Sequence, residues 1–145
     1  MEKILISACL VGDKCRYDGH GNYTPLTKDL LEKYELVPFC CEVEGGLPTP
    51  RAPSERVGRK VMNTHGKDVT NYFLDGAERA LNICKYLGIK IAILKEGSPS
   101  CGVNEIYDGT FKNRKIKGQG VLTELLRSNG ITVYNEHQIE ELLNK

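Results

Sequence analysis

The sequence has almost no net charge, no long apolar run and no compact metal-binding motif, and each absence removes a class of protein. The formal charge is +1 over 145 residues, so there is no general basic field of the kind that holds nucleic acid. No run of about eighteen apolar residues occurs, which excludes a transmembrane helix. The first residues, Met1-Glu2-Lys3, pass directly into Ile4-Leu5-Ile6. That apolar stretch is too short for a secretory signal, and no cleavage site follows it. A cytoplasmic protein is therefore expected. His20, His65 and His137 show no metal-ligand spacing, and no Cys-x-x-Cys pair, internal repeat or low-complexity tract is present.

What remains is the composition of an ordinary soluble globular protein, 40% hydrophobic and 27% charged. The length predicts one domain over residues 1–145 with one core. Six cysteines stand out: Cys9, Cys15, Cys40, Cys41, Cys84 and Cys101. In a reducing compartment disulfides are disfavoured, and metal or catalytic roles gain weight. The plainer alternative is that they are small buried hydrophobes.

The chain is organised around Ile89 to Gly102. Ile89-Lys90-Ile91-Ala92-Ile93-Leu94 is rich in β-branched residues and reads as a buried strand. It breaks into Gly97-Ser98-Pro99-Ser100-Cys101-Gly102, a turn-forming stretch that delivers a thiol. Ahead of it, Lys3 to Ala8 reads as a strand, Leu10 to Thr24 as loop, and Thr27 to Tyr34 as a short helix capped by Thr27. Glu35 to Phe39 reads as a second strand. Val43 to Arg56 reads as a long irregular loop, a kind of segment that is often functional. Arg59 to Lys67 suggests a small hairpin. Asn71 to Leu87 is the strongest helix, with Phe73, Ala77, Ala80, Leu81, Cys84 and Leu87 on one face. Asp68 or Thr70 would start it and Gly88 end it. Asn104 to Lys117 is polar and turn-rich. A helix carrying Leu122, Leu125 and Leu126 follows Gly118-Gln119-Gly120, then a strand at Ile131 to Tyr134 and a helix at Gln138 to Leu143. This alternation predicts an α/β fold: a Rossmann-like three-layer domain with a mostly parallel four-stranded sheet and long functional loops.

In such a sheet the strand ends gather on one edge, where ligands bind. Cys9 ends the first strand, Cys40 the second, and Cys101 follows the third. Three thiols arriving from separate strands suit zinc or an iron–sulfur cluster. Three ligands also leave a coordination position open for a substrate. Chance packing of cysteines is the competing explanation. Cys15 is a further possible ligand. Cys41 should face away from Cys40, as neighbours on an extended chain do, and Cys84 belongs to a helix core. Glu42 falls on the Cys40 side if the chain stays extended, where a carboxylate can act as general base. Ser98 and Ser100 are hydrogen-bond donors. Arg16 and Arg51 suit an anion or carbonyl, and Tyr17 suits a flat ring. Gly118-Gln119-Gly120 before a helix is a weak anion-binding motif. A nucleophilic Cys101 acting alone is a third possibility, although no histidine is placed to serve it.

Taken together, Ser7-Ala8-Cys9-Leu10-Val11-Gly12 with Arg16-Tyr17-Asp18-Gly19, Cys40 through Arg51, and Ser98-Pro99-Ser100-Cys101-Gly102 with Ile106 through Phe111 resemble the domain of unknown function 523 family, the thiouracil desulfidases. The resemblance runs in order along nearly the whole chain. It implies a 4Fe-4S cluster held by Cys9, Cys40 and Cys101 with one iron open, and catalytic roles for Glu42 and Ser98. Arg16, Tyr17, Ser100 and Arg51 would line the substrate site. Cys15 falls where the family pattern also accepts an apolar residue, and Cys41 where it usually has proline. The implied activity is non-redox removal of sulfur from a small thiolated pyrimidine, giving the oxo base and hydrosulfide. The alternative is a non-catalytic protein whose cysteines hold zinc or a cluster. No membrane or nucleic-acid partner is implied.

Overall fold

Short β-branched runs separated by amphipathic helices leave each strand only one way to pair, through a crossover to a parallel neighbour. The structure, a computed structural model, describes residues 1–145. Its sheet has four strands in the order β2-β1-β5-β8: β1 (Glu2–Ser7), β2 (Tyr34–Phe39), β5 (Ile91–Leu94) and β8 (Thr132–Asn135). All are parallel. The register runs from Glu2 opposite Tyr34 to Ser7 opposite Phe39, so β1 and β2 end level with each other. Pro38 is tolerated because β2 is an edge strand.

Alternation along β1 splits the core in two. Leu5 faces one side, with Phe73, Ala77 and Ala80 of α3 (Thr70–Leu87) and Leu122 and Leu126 of α4 (Val121–Ser128). Ile4 and Ile6 face the other, with Leu30 of α1 (Thr27–Lys33) and Ile139 and Leu142 of α5 (Ile139–Leu143). Three layers result, as expected. The expected cap is corrected: Val69, not Asp68 or Thr70, holds the cap position of α3 and makes no side-chain cap bond, while Asp68 Oδ1 accepts from the Thr70 N–H at 2.9 Å just ahead of the helix. Gly88 ends it with φ of +71°, a conformation most cheaply adopted by glycine. No helix is long and apolar enough to cross a membrane.

Several local expectations are corrected. Tyr34 begins β2 instead of ending α1. Thr27 is buried and donates its hydroxyl to the Thr24 carbonyl at 2.8 Å, so it pins a turn and caps nothing. The expected loop at Val43 to Arg56 starts inside a helical turn, α2 (Cys41–Glu44), and finishes in β3 (Ser54–Val57). β3 pairs antiparallel with β4 (Lys60–Asn63), so the hairpin begins at Ser54, ahead of the expected Arg59. The turn-rich stretch after Asn104 contains a second hairpin, β6 (Glu105–Tyr107) with β7 (Lys115–Lys117). Only Ile106 of these six residues is buried, so no apolar alternation announced it. The last strand ends at Asn135, whose side chain accepts from the His137 N–H at 2.9 Å and starts the turn leading into α5.

Candidate metal and catalytic site

The carboxyl ends of β1, β2 and β5 open into a cavity of about 470 Å³ lined by Cys9, Cys15, Cys40, Cys41 and Cys101, with Glu42 and both Ser98 and Ser100 among its other walls. Cys9 lies in the 3-10 turn Ala8–Val11, which closes on Gly12 at φ of +103°. Cys40 is the last extended residue before α2. Cys101 sits in a loop whose backbone is held from three sides. Its own N–H donates to Ser98 Oγ at 2.7 Å. The first N–H groups of α4 fill the loop carbonyls: Gly120 to Gly102 at 2.8 Å, Val121 to Pro99 at 2.9 Å and Leu122 to Ser100 at 2.9 Å. Two of the three backbone donors of Gly118-Gln119-Gly120 are thus used inside the fold, Gly118 on the Asn104 carbonyl at 3.0 Å and Gly120 on the Gly102 carbonyl, and a Cβ on Gly120 would overlap the Ser100 carbonyl.

The third support is Glu96, which sequence reasoning missed. Its Oε1 accepts from the N–H groups of Gly97, Val103, Asn104 and Glu105 at 2.6–3.2 Å, and its Oε2 accepts from Asn135 Nδ2 at 2.7 Å. Burial raises the carboxyl pKa, but the Asn135 amide and these backbone donors outweigh it, and the net shift is downward. A lone acid at a strand end before a glycine-rich turn was the available signal. Such turns present converging N–H groups that need an acceptor.

Glu42 reaches the cavity by a different route from the one expected. The chain does not stay extended, and Glu42 is the second residue of α2. Its Oε1 accepts from Arg51 Nε at 3.0 Å and its Oε2 from Ser100 Oγ at 2.9 Å. Ser98 Oγ stands 3.2 Å from Ser100 Oγ, so Ser98 touches Glu42 only through Ser100. The Arg51 side chain is 6% exposed. Its Nη1 donates to Pro48 O and Thr49 Oγ1 and its Nη2 to Cys15 O. Arg51 thus fixes Glu42 and ties the Cys15 loop to the 48–51 loop. Arg16 lines the cavity and leans on Asp18 at 3.8 Å. Tyr17 also lines it and is 41% exposed.

Cys41 and Cys84 are buried with the α3 core, and the Cys41 thiol donates to Phe73 O at 3.6 Å. Cys15, by contrast, lies against Cys9 and Cys40, and the Cys40 thiol donates to its carbonyl at 3.8 Å. Contact with Cys40 lowers the Cys15 pKa, but contact with Cys9 and burial prevail and push it up to about 11. Contact with Cys15 and burial push the Cys40 thiol up strongly. Burial pushes Cys101 up to about 11. Thiols this basic are protonated at neutral pH and gain nothing as free nucleophiles. No histidine lines the cavity, which counts against a nucleophilic Cys101. No three Cys, His, Asp or Glu side chains converge closely enough for a single metal ion. A cluster is a different target: its irons occupy separate corners, and thiolates spread around a cavity suit it better than they suit one zinc.

A parallel α/β sheet with cysteines and a carboxylate gathered at its carboxyl edge defines the class. The chain belongs to the 2-thiouracil desulfurase family, which it matches over residues 4–138. It is 37% identical over 150 residues to the uncharacterized protein YbbK of Bacillus subtilis (strain 168), covering 97% of this chain and 99% of that protein. Among solved structures it is similar to the thiouracil desulfidase TudS, described as 4Fe-4S-dependent. The TM-score is 0.93 at 48% identity, over 98% of this chain and 95% of that one.

Proposed function

We propose that residues 1–145 form one desulfidase-like domain that removes sulfur hydrolytically from a small thiolated pyrimidine with the help of a 4Fe-4S cluster. The observation that carries this reading is the Glu42–Ser100–Ser98 hydrogen-bonded chain opening into the same cavity as Cys9, Cys40 and Cys101. The donor set fits the group: three soft sulfur ligands on three separate elements, with polar groups beside them. Cys9, Cys40 and Cys101 would hold it. When bound, the cluster supplies a soft Lewis-acidic iron for a thiocarbonyl sulfur.

The chain's own residues do the rest. Glu42, oriented by Arg51 and Ser100, takes a proton from water. Ser100 spends its one proton on Glu42 and so orients it, and Ser98, turning its hydroxyl from Ser100 towards the substrate, donates to charge developing on the ring. Oxygen replaces sulfur at the ring carbon and hydrosulfide leaves, so no electrons are gained or lost. Arg16 and Tyr17 border the bound ring. Thiol ligands suit the reducing cytoplasm, and a cavity of about 470 Å³ suits a free base or nucleoside better than a folded nucleic acid.

The test is anaerobic reconstitution followed by assay of hydrosulfide released from 2-thiouracil. Close to four irons and four sulfides per chain (the 4Fe-4S composition) with turnover supports the reading. A Glu42→Gln variant that keeps the cluster and full activity would falsify the general-base role. A second reading, a cluster protein without turnover, draws on Cys15 lying against Cys9 and Cys40, since a fourth thiolate would close the site. Under that reading Cys15→Ala loses cluster stability and wild-type protein releases no hydrosulfide.

A further inference from the structure

The cavity is walled by four aromatic side chains, Tyr17, Phe39, Tyr107 and Phe111, and two of them are already committed. Phe39 is 7% exposed and packed into the core. The Tyr107 ring is covered by Lys115, whose Nζ stands 5.5 Å from its centroid. Phe111 belongs to neither core and is 37% exposed. Folding therefore gains little from a phenyl ring at that position.

The backbone there is nonetheless built with care. Phe111 has φ of +58°, a left-handed conformation that is unfavourable for a bulky residue. It is held by a carboxylate from another element. Glu55 Oε1, in β3, accepts from the N–H of Gly109 at 2.9 Å and from the N–H of Phe111 at 3.2 Å. Asp108 accepts from the Thr110 N–H and hydroxyl in the same turn. A Cβ on Gly109 would run into Val57, so the two hairpins fit closely. Glu55 itself lines the cavity. An unfavourable conformation, two hairpins fastened together and an aromatic left partly bare at a cavity wall have one economical explanation in binding.

We propose that Phe111 is the stacking platform that seats the pyrimidine ring of the substrate, with the Glu55 clamp as its positioning residue. This rests on the desulfidase reading and adds a substrate contact to it. A ring's flat face gives affinity for any pyrimidine, whereas the polar groups near Glu42 select the atom attacked. The loss on removing Phe111 therefore falls on substrate affinity and leaves the chemical step nearly intact.

The chain contains no tryptophan, so Phe111→Trp introduces a single reporter. In the reconstituted protein we expect 2-thiouracil to quench its emission saturably. Phe111→Ala and Phe111→Leu should raise KM about tenfold or more, the usual scale of one base stacked on an aromatic, with kcat changed less than about threefold by the same reasoning. Phe111→Tyr should restore KM. Glu55→Ala, which removes the one oxygen that accepts from both the Gly109 and the Phe111 N–H groups, should raise KM without altering iron content. Unchanged KM in Phe111→Ala, or an unquenched Phe111→Trp that still turns over, overturns the platform while leaving the desulfidase reading intact. Wild-type protein that carries four irons yet releases no hydrosulfide overturns that reading, and the platform with it.

Discussion

Glu96→Gln should unfasten the loop that carries Ser98, Ser100 and Cys101, although the Glu96 side chain makes no hydrogen bond to any of the three. The wild-type carboxylate gathers N–H groups from Gly97, Val103, Asn104, Glu105 and the Asn135 amide. Glutamine has one acceptor oxygen and one NH2 group, and donors approach from both sides. If its oxygen serves the Val103 side, its NH2 group faces Asn135 Nδ2. Asn135 cannot simply turn over, because its Oδ1 already accepts from His137. Removing one charge-assisted hydrogen bond and leaving one buried donor to face another donor should together cost about 2–4 kcal/mol. Denaturant unfolding of the reduced apoprotein reads this as a lower midpoint at unchanged slope. The pH dependence has a definite sign. The folded Glu96 pKa lies below its ordinary 4.5. The carboxylate therefore contributes stability that is full above about pH 5 and is lost as pH falls through the folded pKa. The gap between wild type and Glu96→Gln should be constant from pH 5 upward and narrow below pH 4.5. The Lys95–Glu136 pair next to it is present in both proteins and cancels. A difference under about 0.5 kcal/mol at neutral pH, the range of ordinary surface changes, would refute the role given to Glu96, as would a gap that widens in acid.

Other expectations bear on the site and the core. Arg51→Ala frees Glu42 to swing away from Ser100 and should slow hydrosulfide release about tenfold to a hundredfold, part of the roughly hundredfold to ten-thousandfold that a positioned general base contributes; Arg51→Lys should recover little, because lysine cannot copy the fork of contacts. Gly120→Ala drives a methyl group into the Ser100 carbonyl, and should cost about 1–3 kcal/mol and make Cys101 more reactive to thiol reagents in the apoprotein. Because the Cys40 thiol is pushed up strongly and Cys101 to about 11, cluster assembly must expel protons; iron uptake should be faster at alkaline than at mildly acidic pH, and a rate that rises with acidity would contradict this. Phe73→Ala, at a wholly buried site against the sheet, should lower stability by about 3–5 kcal/mol in calorimetric or denaturant unfolding.

The sheet, its parallel sense and the helices on its two faces were legible in the chain because each rests on a local signal repeated along it. α3 shows this best: Phe73, Ala77, Ala80 and Cys84 mark one face, and Gly88 marks its end. The three cysteines were legible for a related reason. A parallel sheet delivers strand ends to one edge, so Cys9, Cys40 and Cys101 could be gathered without knowing a single long-range contact. The hairpins at Ser54–Asn63 and Glu105–Lys117 left weak marks, since they bury too little to impose a period.

Only the tertiary structure decided which polar groups meet. Glu42 and Ser100 are 58 residues apart in sequence, and Glu55 and Phe111 are 56 apart. Such partnerships depend on side-chain direction at the ends of elements that pack against one another, and no pattern within either segment encodes that. Arg51 read as a residue free to meet an anion, and folding turned it inward onto Glu42. Cys15 read as a further possible ligand at a position where the family pattern also accepts an apolar residue, and folding set it against Cys9 and Cys40. Apolar periodicity is a local statement about burial, and so the sequence alone carries it. A hydrogen-bond network is a statement about distances between chain segments, and those exist only once the layers have closed.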